Sequence, residues 1–366
     1  MDKKTRRRRV GALRAYLADK GLDAALLTSY ENRRYFSGFT GGNGYLAVTA
    51  GSVALVTDRR YITQARQQTE GDAEIVEHAA DRLDVVADTL RKLRPPGNAR
   101  LCGVAMESGI TAGEYFALQK RLPGVKLALE EDWFLELRMV KDPEEIECIR
   151  AAVRCAEAGF ELLLPKLCIG MTEKDLADEL HYLVARQGAE AMSFGTIAAS
   201  GPRGAMAHGA PTDRKIQNGE MVVVDFGVMK EGYCSDITRT LLFGDVPPRQ
   251  MEIFRLVRKS QEAAIAAIRP GVSAAEVEEA HRRVFRAEGL EDYALKGLGH
   301  GIGLQIHEYP RVVIDSQVRL EQNMVFTVEP GLYFPGEFGV RTEDDVLVTA
   351  EGAEPLSRLP WEIHAG

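Results

Sequence analysis

The sequence predicts a two-domain protein of mixed α/β (α+β) class, and three observations point there. Its 366 residues exceed what one hydrophobic core usually supports. The first third alternates strand-like and helical patterns, which suggests a layered arrangement around a largely buried sheet. Around Glu130 to Val140 that pattern gives way to long helices, each followed by strands that carry acids and histidines. The domains are accordingly placed at 1–134 and 135–366. With 45% hydrophobic and 27% charged residues, the chain is globular in composition, not disordered.

In the first domain, Val10 to Lys20 repeats apolar residues at helical spacing, and Ala24 to Leu27 is a short buried run. Tyr45 to Val48 and Val53 to Val56 read as a strand pair joined by Thr49-Ala50-Gly51-Ser52. Arg82 to Leu93 is helical, with Pro95-Pro96-Gly97 as its stop. In the second domain, Asp142-Pro143-Glu144-Glu145 is a strong helix start: an N-cap acid, proline at the first helical position and acids in the first turn. That helix should run to about Leu164. Thr172 with Asp175, and Ser273 with Glu276, cap two further helices in the same manner. The likeness of these two starts suggests that the second domain consists of two related halves.

A net charge of −8 argues against a general nucleic-acid face. The one basic run, Lys3 to Arg9, reads as a solvated N-terminus leading into a helix. Val10 to Leu27 is amphipathic, so no secretory or twin-arginine signal is expected. No stretch approaches the ~18 consecutive apolar residues of a membrane span. The five cysteines show no C-x-x-C spacing; they read as small buried residues in a reducing compartment, the cytoplasm.

The chemistry concentrates in two hairpins. Met221 to Val224 is a strand run ending in Asp225, and Asp236 precedes the run Ile237 to Phe243. If the loop Met229-Lys230-Glu231-Gly232 is symmetric, Asp225 and Asp236 stand directly opposite, with β-carbons about 5 Å apart. Two carboxylates so close repel unless something positive sits between them, and a metal ion is the obvious candidate. Further on, Gly336 is equidistant from Glu329 and Glu343, so those two acids can also be opposed. Arg341, two residues before Glu343, shares its face and can brace it. Solvated acids at strand ends are the alternative; the apolar run before Asp225 argues against it for the first pair, and although one hairpin coincidence would leave it ahead for the second, two in one domain favour a site.

Histidines complete the pattern. In Gly297-Leu298-Gly299-His300-Gly301-Ile302-Gly303, flanking glycines allow close backbone approach and aim His300 into a crowded site. The segment does not fit the G-x-G-x-x-G pattern, and His307-Glu308 does not continue as a zincin motif. His307 lies seven residues on, and His208 sits in a loop before the first acidic strand. His78, His181, His281 and His364 read as structural or surface residues. Four carboxylates and a histidine suit Mn(II), Co(II) or Zn(II). Two such ions ~3.5–4 Å apart can share a water and lower its pKa toward ~7, giving hydroxide to attack a polarised carbonyl. Neutral histidines nearby could move a proton or hold the tetrahedral intermediate.

The segments VVVDFGV, GYCSDITRT, GHGIGLQIHEYPR, TVEPGLY and GVRTEDDVLV together resemble the pita-bread-fold dinuclear metallopeptidases. SFGTIAASGPRGAMAHG resembles the region that carries the first catalytic histidine of that family. YFSGFTGGNGYLAVT and LVTDRRYITQA resemble the creatinase-like N-terminal domain of its Xaa-Pro members, the Xaa-Pro dipeptidases (prolidases) and Xaa-Pro aminopeptidases (aminopeptidase P). The resemblance runs over nearly the whole chain.

It implies a creatinase-like α/β domain followed by a pita-bread catalytic domain with pseudo-two-fold symmetry, as a homodimer. Asp225, Asp236, His300, Glu329 and Glu343 would hold two divalent ions, with Mn(II) the first choice and Asp236 and Glu343 bridging. His208 and His307 would contact substrate and transition state, and Arg341 would support Glu343. Phe194 and Ile306 match an apolar substrate pocket. Arg311 matches an arginine that meets the substrate carboxylate in some prolidases. The implied substrates are short proline-containing peptides. Arg311 inclines the reading to a dipeptidase, with an aminopeptidase for longer peptides as the alternative. No ligand position is substituted, which disfavours a silent, metal-retaining binding protein.

Overall fold

A computed structural model describes residues 2–79, 81–93, 100–130 and 133–366. The chain divides into two compact units, Met1–Leu137 and Arg138–Gly366. The helix stop expected at Pro95–Gly97 lies outside the described residues.

The first unit is built on one six-stranded sheet. Its strands are β1 (Ala24–Leu27), β2 (Tyr45–Thr49), β3 (Val53–Thr57), β4 (Glu74–Glu77), β5 (Gly103–Glu107) and β6 (Lys126–Glu130), in the order β4-β3-β2-β1-β5-β6. The expected pair β2–β3 is antiparallel, with Tyr45 facing Val56 and Val48 facing Val53. The helices are α1 (Lys3–Asp19), α2 (Tyr30–Ser37), α3 (Ile62–Thr69), α4 (Arg82–Lys92), α5 (Ala112–Arg121) and α6 (Trp133–Met139). Four strands, β1, β2, β3 and β5, are buried on both faces almost throughout, as apolar runs without alternation require.

The basic run is not simply solvated. It forms the first two turns of α1, and two of its arginines are buried. Arg6 pairs with Glu70 and Asp72; the Arg9 guanidinium lies 3.8 Å from the Tyr35 ring centre and donates to the Tyr35 carbonyl. Helical periodicity turned these positions inward, where charge needs partners.

The second unit repeats a theme twice. The helices α7 (Pro143–Leu163) and α8 (Glu173–Arg186) precede β7 (Ala191–Met192), β8 (Ile197–Ser200), β9 (Glu220–Phe226), β10 (Val228–Lys230), β11 (Tyr233–Cys234) and β12 (Ile237–Phe243). The helices α9 (Pro248–Ala267) and α10 (Ala274–Ala287) precede β13 (Gly299–Gly301), β14 (Glu308–Val312), β15 (Val325–Val328), β16 (Gly331–Phe334), β17 (Phe338–Arg341), β18 (Asp344–Val348) and β19 (Ala353–Pro355). A last strand, β20 (Ile363–Ala365), joins the first-half sheet β20-β12-β9-β8; the second-half sheet is β14-β13-β15-β18-β19.

Hydrogen bonds make the duplication explicit. Thr172 and Ser273 each close a capping box. Gly170 N donates to Ile216 O and Ile216 N to Met171 O; Gly271 N donates to Leu320 O and Leu320 N to Val272 O. Ile197 faces Asp225, and Leu298 O accepts from Glu329 N. By that correspondence Asp225 matches Glu329, and Ala199 occupies the place of His300.

The acidic hairpins differ from expectation in one case. Glu329 and Glu343 fall in register: Val328 faces Asp344 and Gly331 faces Arg341 on either side of them. Asp225, however, faces Thr238, not Asp236. The reversal uses only Glu231 and Gly232, at φ of 50° and 68°, the left-handed pair of a two-residue hairpin turn. The register therefore shifts by two residues. An even shift preserves the face, so Asp236 remains beside Asp225 diagonally.

Gly232→Val places a β-branched residue in that left-handed conformation and is expected to destabilise the protein by about 1–2 kcal/mol. Thermal unfolding followed by circular dichroism checks it; an unchanged midpoint contradicts the turn.

Candidate metal centre

Asp236, Glu329 and Glu343 sit between strands, where backbone pairing lapses, and Asp225 lies one residue from the end of β9, paired with Ile197 and Thr238. Glu343 lies between β17 and β18, and its N–H donates to Thr238 O. Asp236 lies between β11 and β12, and its N–H donates to the buried Asp345 carboxylate at 3.0 Å. His300 projects from β13. A β-carbon at Gly299 would fall 2.0 Å from Thr327 O, and one at Gly301 would fall 2.0 Å from Tyr309 O. The glycines beside His300 are thus required by close strand approach.

These elements bring one oxygen each of Asp236 and Glu343 and one nitrogen of His300 within 4.8 Å of one another. The His300 Nε2 lies 3.6 Å from Asp236 Oδ2 and 3.5 Å from Glu329 Oε1. Its Nδ1 faces the Gly301 carbonyl at 3.1 Å. A carbonyl only accepts, so Nδ1 carries the proton and Nε2 presents a lone pair to the acids. Burial, followed by the neighbouring His307, lowers the His300 pKa to about 4, so the ring is neutral at pH 7.

The acids are short of positive charge. Asp225 Oδ1, Asp236 Oδ1 and Glu343 Oε1 are buried without a hydrogen-bond partner among the described residues. Burial first, then Glu343, Asp225 and Glu329, raises Asp236 well above the usual range. Burial, Glu329 and Asp225 do the same to Glu343. Glu329 rises to about 7, chiefly through burial and against the pull of Arg341. Oxygen ligands with free lone pairs around one neutral imidazole fit divalent cations of the Mn(II)–Zn(II) type. The residues present therefore suit the group.

Arg341 is the buried counter-charge. It was expected to brace Glu343; instead Nη2 binds Asp225 Oδ2 directly, and Nε reaches Glu343 only through Thr238. Thr238 Oγ1 donates to Glu343 Oε2 at 2.6 Å. Arg341 Nη1 also donates to Tyr333 Oη and to Ala207 O, at 2.8 and 2.9 Å. The last bond ties down the turn that carries exposed His208, whose Gly209 packs against Ala199: a β-carbon there would lie 2.9 Å from the Ala199 β-carbon.

The remaining candidates surround this cluster. The His307 ring centre is 4.2 Å from that of His300. Burial, then His208 and Arg311, lowers the His307 pKa. Arg311 faces His300 across β13 and β14, on the same side of the sheet, and is exposed. Half-buried Ile306 precedes His307, and the half-buried Phe194 ring lies against Gly227, two residues beyond Asp225. Thr238, Thr327, Tyr333 and Asp345 had no place in the sequence reading. Thr327 Oγ1 donates to Glu329 Oε1 and accepts from His300 N, both at 3.1 Å. Only the hairpin register, which sets Thr238 across from Asp225, could have pointed to any of them.

Of the other histidines, His181 bonds Thr196, His281 is buried beside Glu278, and exposed His364 pairs with Glu362. The expectation of buried cysteines holds for Cys155 and Cys234; Cys102 and Cys168 are exposed, and all five are free.

Residues 147–350 match the model of metallopeptidase family M24, and residues 9–140 match the creatinase/prolidase N-terminal domain. The chain belongs to metallopeptidase family M24. Among M24 relatives, an Xaa-Pro dipeptidase of Pyrococcus furiosus is 32% identical over 97% of this chain and 99% of its own. An Xaa-Pro dipeptidase structure from Bacillus anthracis superposes with TM-score 0.93 at 34% identity, covering 99% of this chain and 100% of that one. An X-Pro aminopeptidase structure from Thermotoga maritima gives 0.87, also at 34% identity, covering 98% and 99%. The M24 assignment accounts for the pita-bread architecture of the second unit and makes the protein a metallopeptidase.

Raised carboxylate pKa values set a sign for stability. Between the ordinary glutamate value near 4.5 and about 7, the folded metal-free protein holds protons that the unfolded chain has released. Stability of metal-stripped protein should therefore fall by a few kcal/mol as pH rises from 5 to 8. Added Mn(II) should restore it at pH 8. Melting temperatures with and without chelator measure this; a metal-free melting temperature that rises across the same range contradicts it.

Proposed function

We propose that the protein hydrolyses the bond between an N-terminal residue and a following proline in dipeptides, as a metal-dependent Xaa-Pro dipeptidase. The observation that carries the reading is the buried set of unpartnered oxygens on Asp225, Asp236 and Glu343 around the free Nε2 of His300. Asp225, Asp236, His300, Glu329 and Glu343 would hold two divalent ions, with Asp236 and Glu343 shared between them. When bound, such ions supply Lewis acidity toward the scissile carbonyl and a water acidic enough to react near neutral pH.

The chain's own residues do the rest. Arg341 and Thr238 fix the orientations of Asp225 and Glu343, which limits reorganisation during reaction. His307, whose pKa burial lowers, and His208 would move a proton to the leaving proline nitrogen or hold developing negative charge. Ile306 and Phe194 supply apolar surface for the substrate.

Names among the relatives divide between dipeptidase and aminopeptidase at equal identity, so similarity alone does not choose. Arg311 does. It lies on the His300 face of its sheet, is exposed, and forms no ion pair with the described residues, as an anchor for a C-terminal carboxylate requires. Mn(II) is the proposed native ion, with Co(II) or Zn(II) able to substitute, and short proline-containing peptides are the proposed substrates. The five free thiols support a cytoplasmic setting. The homodimer implied by the family resemblance belongs to the same reading.

Two measurements test this. After chelation and Mn(II) addition, Ala-Pro should be cleaved and Ala-Pro-Ala spared; cleavage of the tripeptide would make the enzyme an aminopeptidase, and cleavage of neither would overturn the reading. Glu343→Ala should lose at least one ion per chain and all measurable turnover while its circular dichroism stays native. Full metal content with normal activity would remove Glu343 from the site.

A further inference from the structure

A second buried charge cluster lies under the loop that carries His307. Glu308 is fully buried, with 1% of its side chain exposed. Its Oε1 accepts from Arg138 Nη2 at 2.9 Å, and its Oε2 from Lys141 Nζ at 2.9 Å. Both cations are as deeply buried as the acid. Burial alone would raise the Glu308 pKa, but Arg138 and Lys141 overcome it and hold the carboxyl below its ordinary value.

Buried ion clusters of this kind contribute little net stability; apolar residues of similar volume often do as well or better. Position, not stability, accounts for the cluster, and the loop shows how. Residues 302–307 have no regular secondary structure. Few backbone bonds hold them: Ile302 N to Val325 O, Gly303 N to Gln305 O, and Cys234 N to Gly303 O. The Gln305 N–H ends on Glu308 Oε1 at 3.1 Å, and the Gln305 side-chain oxygen accepts from Arg138. Gly303 is pressed against the same carboxylate: a β-carbon there would lie 2.6 Å from Glu308 Oε2. Lys141 is fixed in turn, since Nζ donates to Arg138 O and its own N–H to Asn323 O. The cluster thus grips the loop at Gly303, Gln305 and Glu308.

Glu308 opens β14. His307 is the last residue of the loop before that strand, so locking Glu308 inward fixes the backbone beside His307, whose ring lies 4.2 Å from that of His300. We infer that Glu308, clamped between Arg138 and Lys141, is a positioning residue that fixes the His307 loop for substrate turnover. The inference rests on the peptidase reading for the role of His307, but not for the grip on the loop.

The test is a double-mutant cycle on the full chain loaded with Mn(II), with Ala-Pro as substrate. Glu308→Gln keeps the shape and removes the charge. It should lower kcat by about 10- to 100-fold, as misplacement of a reacting group by roughly 1 Å does. KM should change by less than about threefold, and metal content should stay at the parental level, because the lost interaction acts in turnover. In a His307→Ala background the same substitution should change kcat by less than about twofold, since the positioned group is gone. An equal loss in both backgrounds overturns the inference.

Should the parent cleave neither Ala-Pro nor Ala-Pro-Ala, the peptidase reading fails separately, and hydrogen exchange decides the grip. Amides of Gly303 to His307 should lose protection in Glu308→Gln while those of α7 and β12 keep theirs. Unchanged protection in the loop overturns the inference. Lys141→Met, which leaves the Arg138 pair intact, repeats both measurements if Glu308→Gln fails to fold. It should show a smaller loss of the same kind, and parental kcat with parental protection would overturn the inference equally.

Discussion

The mutual repulsion of carboxylates held in one buried place governs the second unit. Asp225, Asp236, Glu329 and Glu343 converge from two hairpins into a largely buried region, and the guanidinium of Arg341 lies among them. An interior that gathers such charge must hold its acids by backbone geometry, because their own interactions drive them apart. The hairpins provide that geometry. Asp236, Glu329 and Glu343 stand between strands, where the backbone is still fixed by neighbours and the side chain can leave the ladder; Asp225 is held within β9. Thr238 and Thr327 then orient individual oxygens with single hydrogen bonds. The folded chain is thereby prepared for cations that would turn a destabilising cluster into a stabilising one.

Support for the two auxiliary histidines has a similar logic at lower cost in charge. The His208 turn is held from below by Arg341 through Ala207 O. Upstream, the fully buried Glu173 gathers Ser200, Arg203 and Thr212 around one carboxylate. The His307 loop is held by Glu308. In both cases an irregular segment that must approach the site is fixed by a buried side chain at its edge, in place of the backbone ladder it lacks.

Much of this was legible from local pattern. Capping boxes at Thr172 and Ser273 gave helix starts, and an acid after an apolar run gave strand ends facing a site. The symmetric spacing around Gly336 fixed the register of Glu329 and Glu343, because that loop is in fact symmetric. The same assumption misplaced Asp236 by two residues, since loop length alone does not show that Glu231 and Gly232 take left-handed conformations; parity kept the face correct. What stayed hidden depends on contacts distant along the chain. Thr238 reaches Glu343, Asp345 accepts from Asp236, and Arg138 meets Glu308, each across more than a hundred residues. Arg6 and Arg9 were hidden for another reason: a run of like charges looks solvated until helical periodicity turns part of it inward.

The correspondence of Ala199 with His300 shows how a repeated architecture yields an unequal centre. In one half the position carries an imidazole. In the other it carries a methyl group, and the His208–Gly209 turn lies on the space this leaves. Two identical halves would present a histidine from each side and leave no room for that turn. Divergence at this single place makes the two halves chemically unlike. For the proposed pair of ions it would give unequal donor sets, since His300 supplies the one nitrogen among the five proposed ligands, so their affinities and preferred elements should differ.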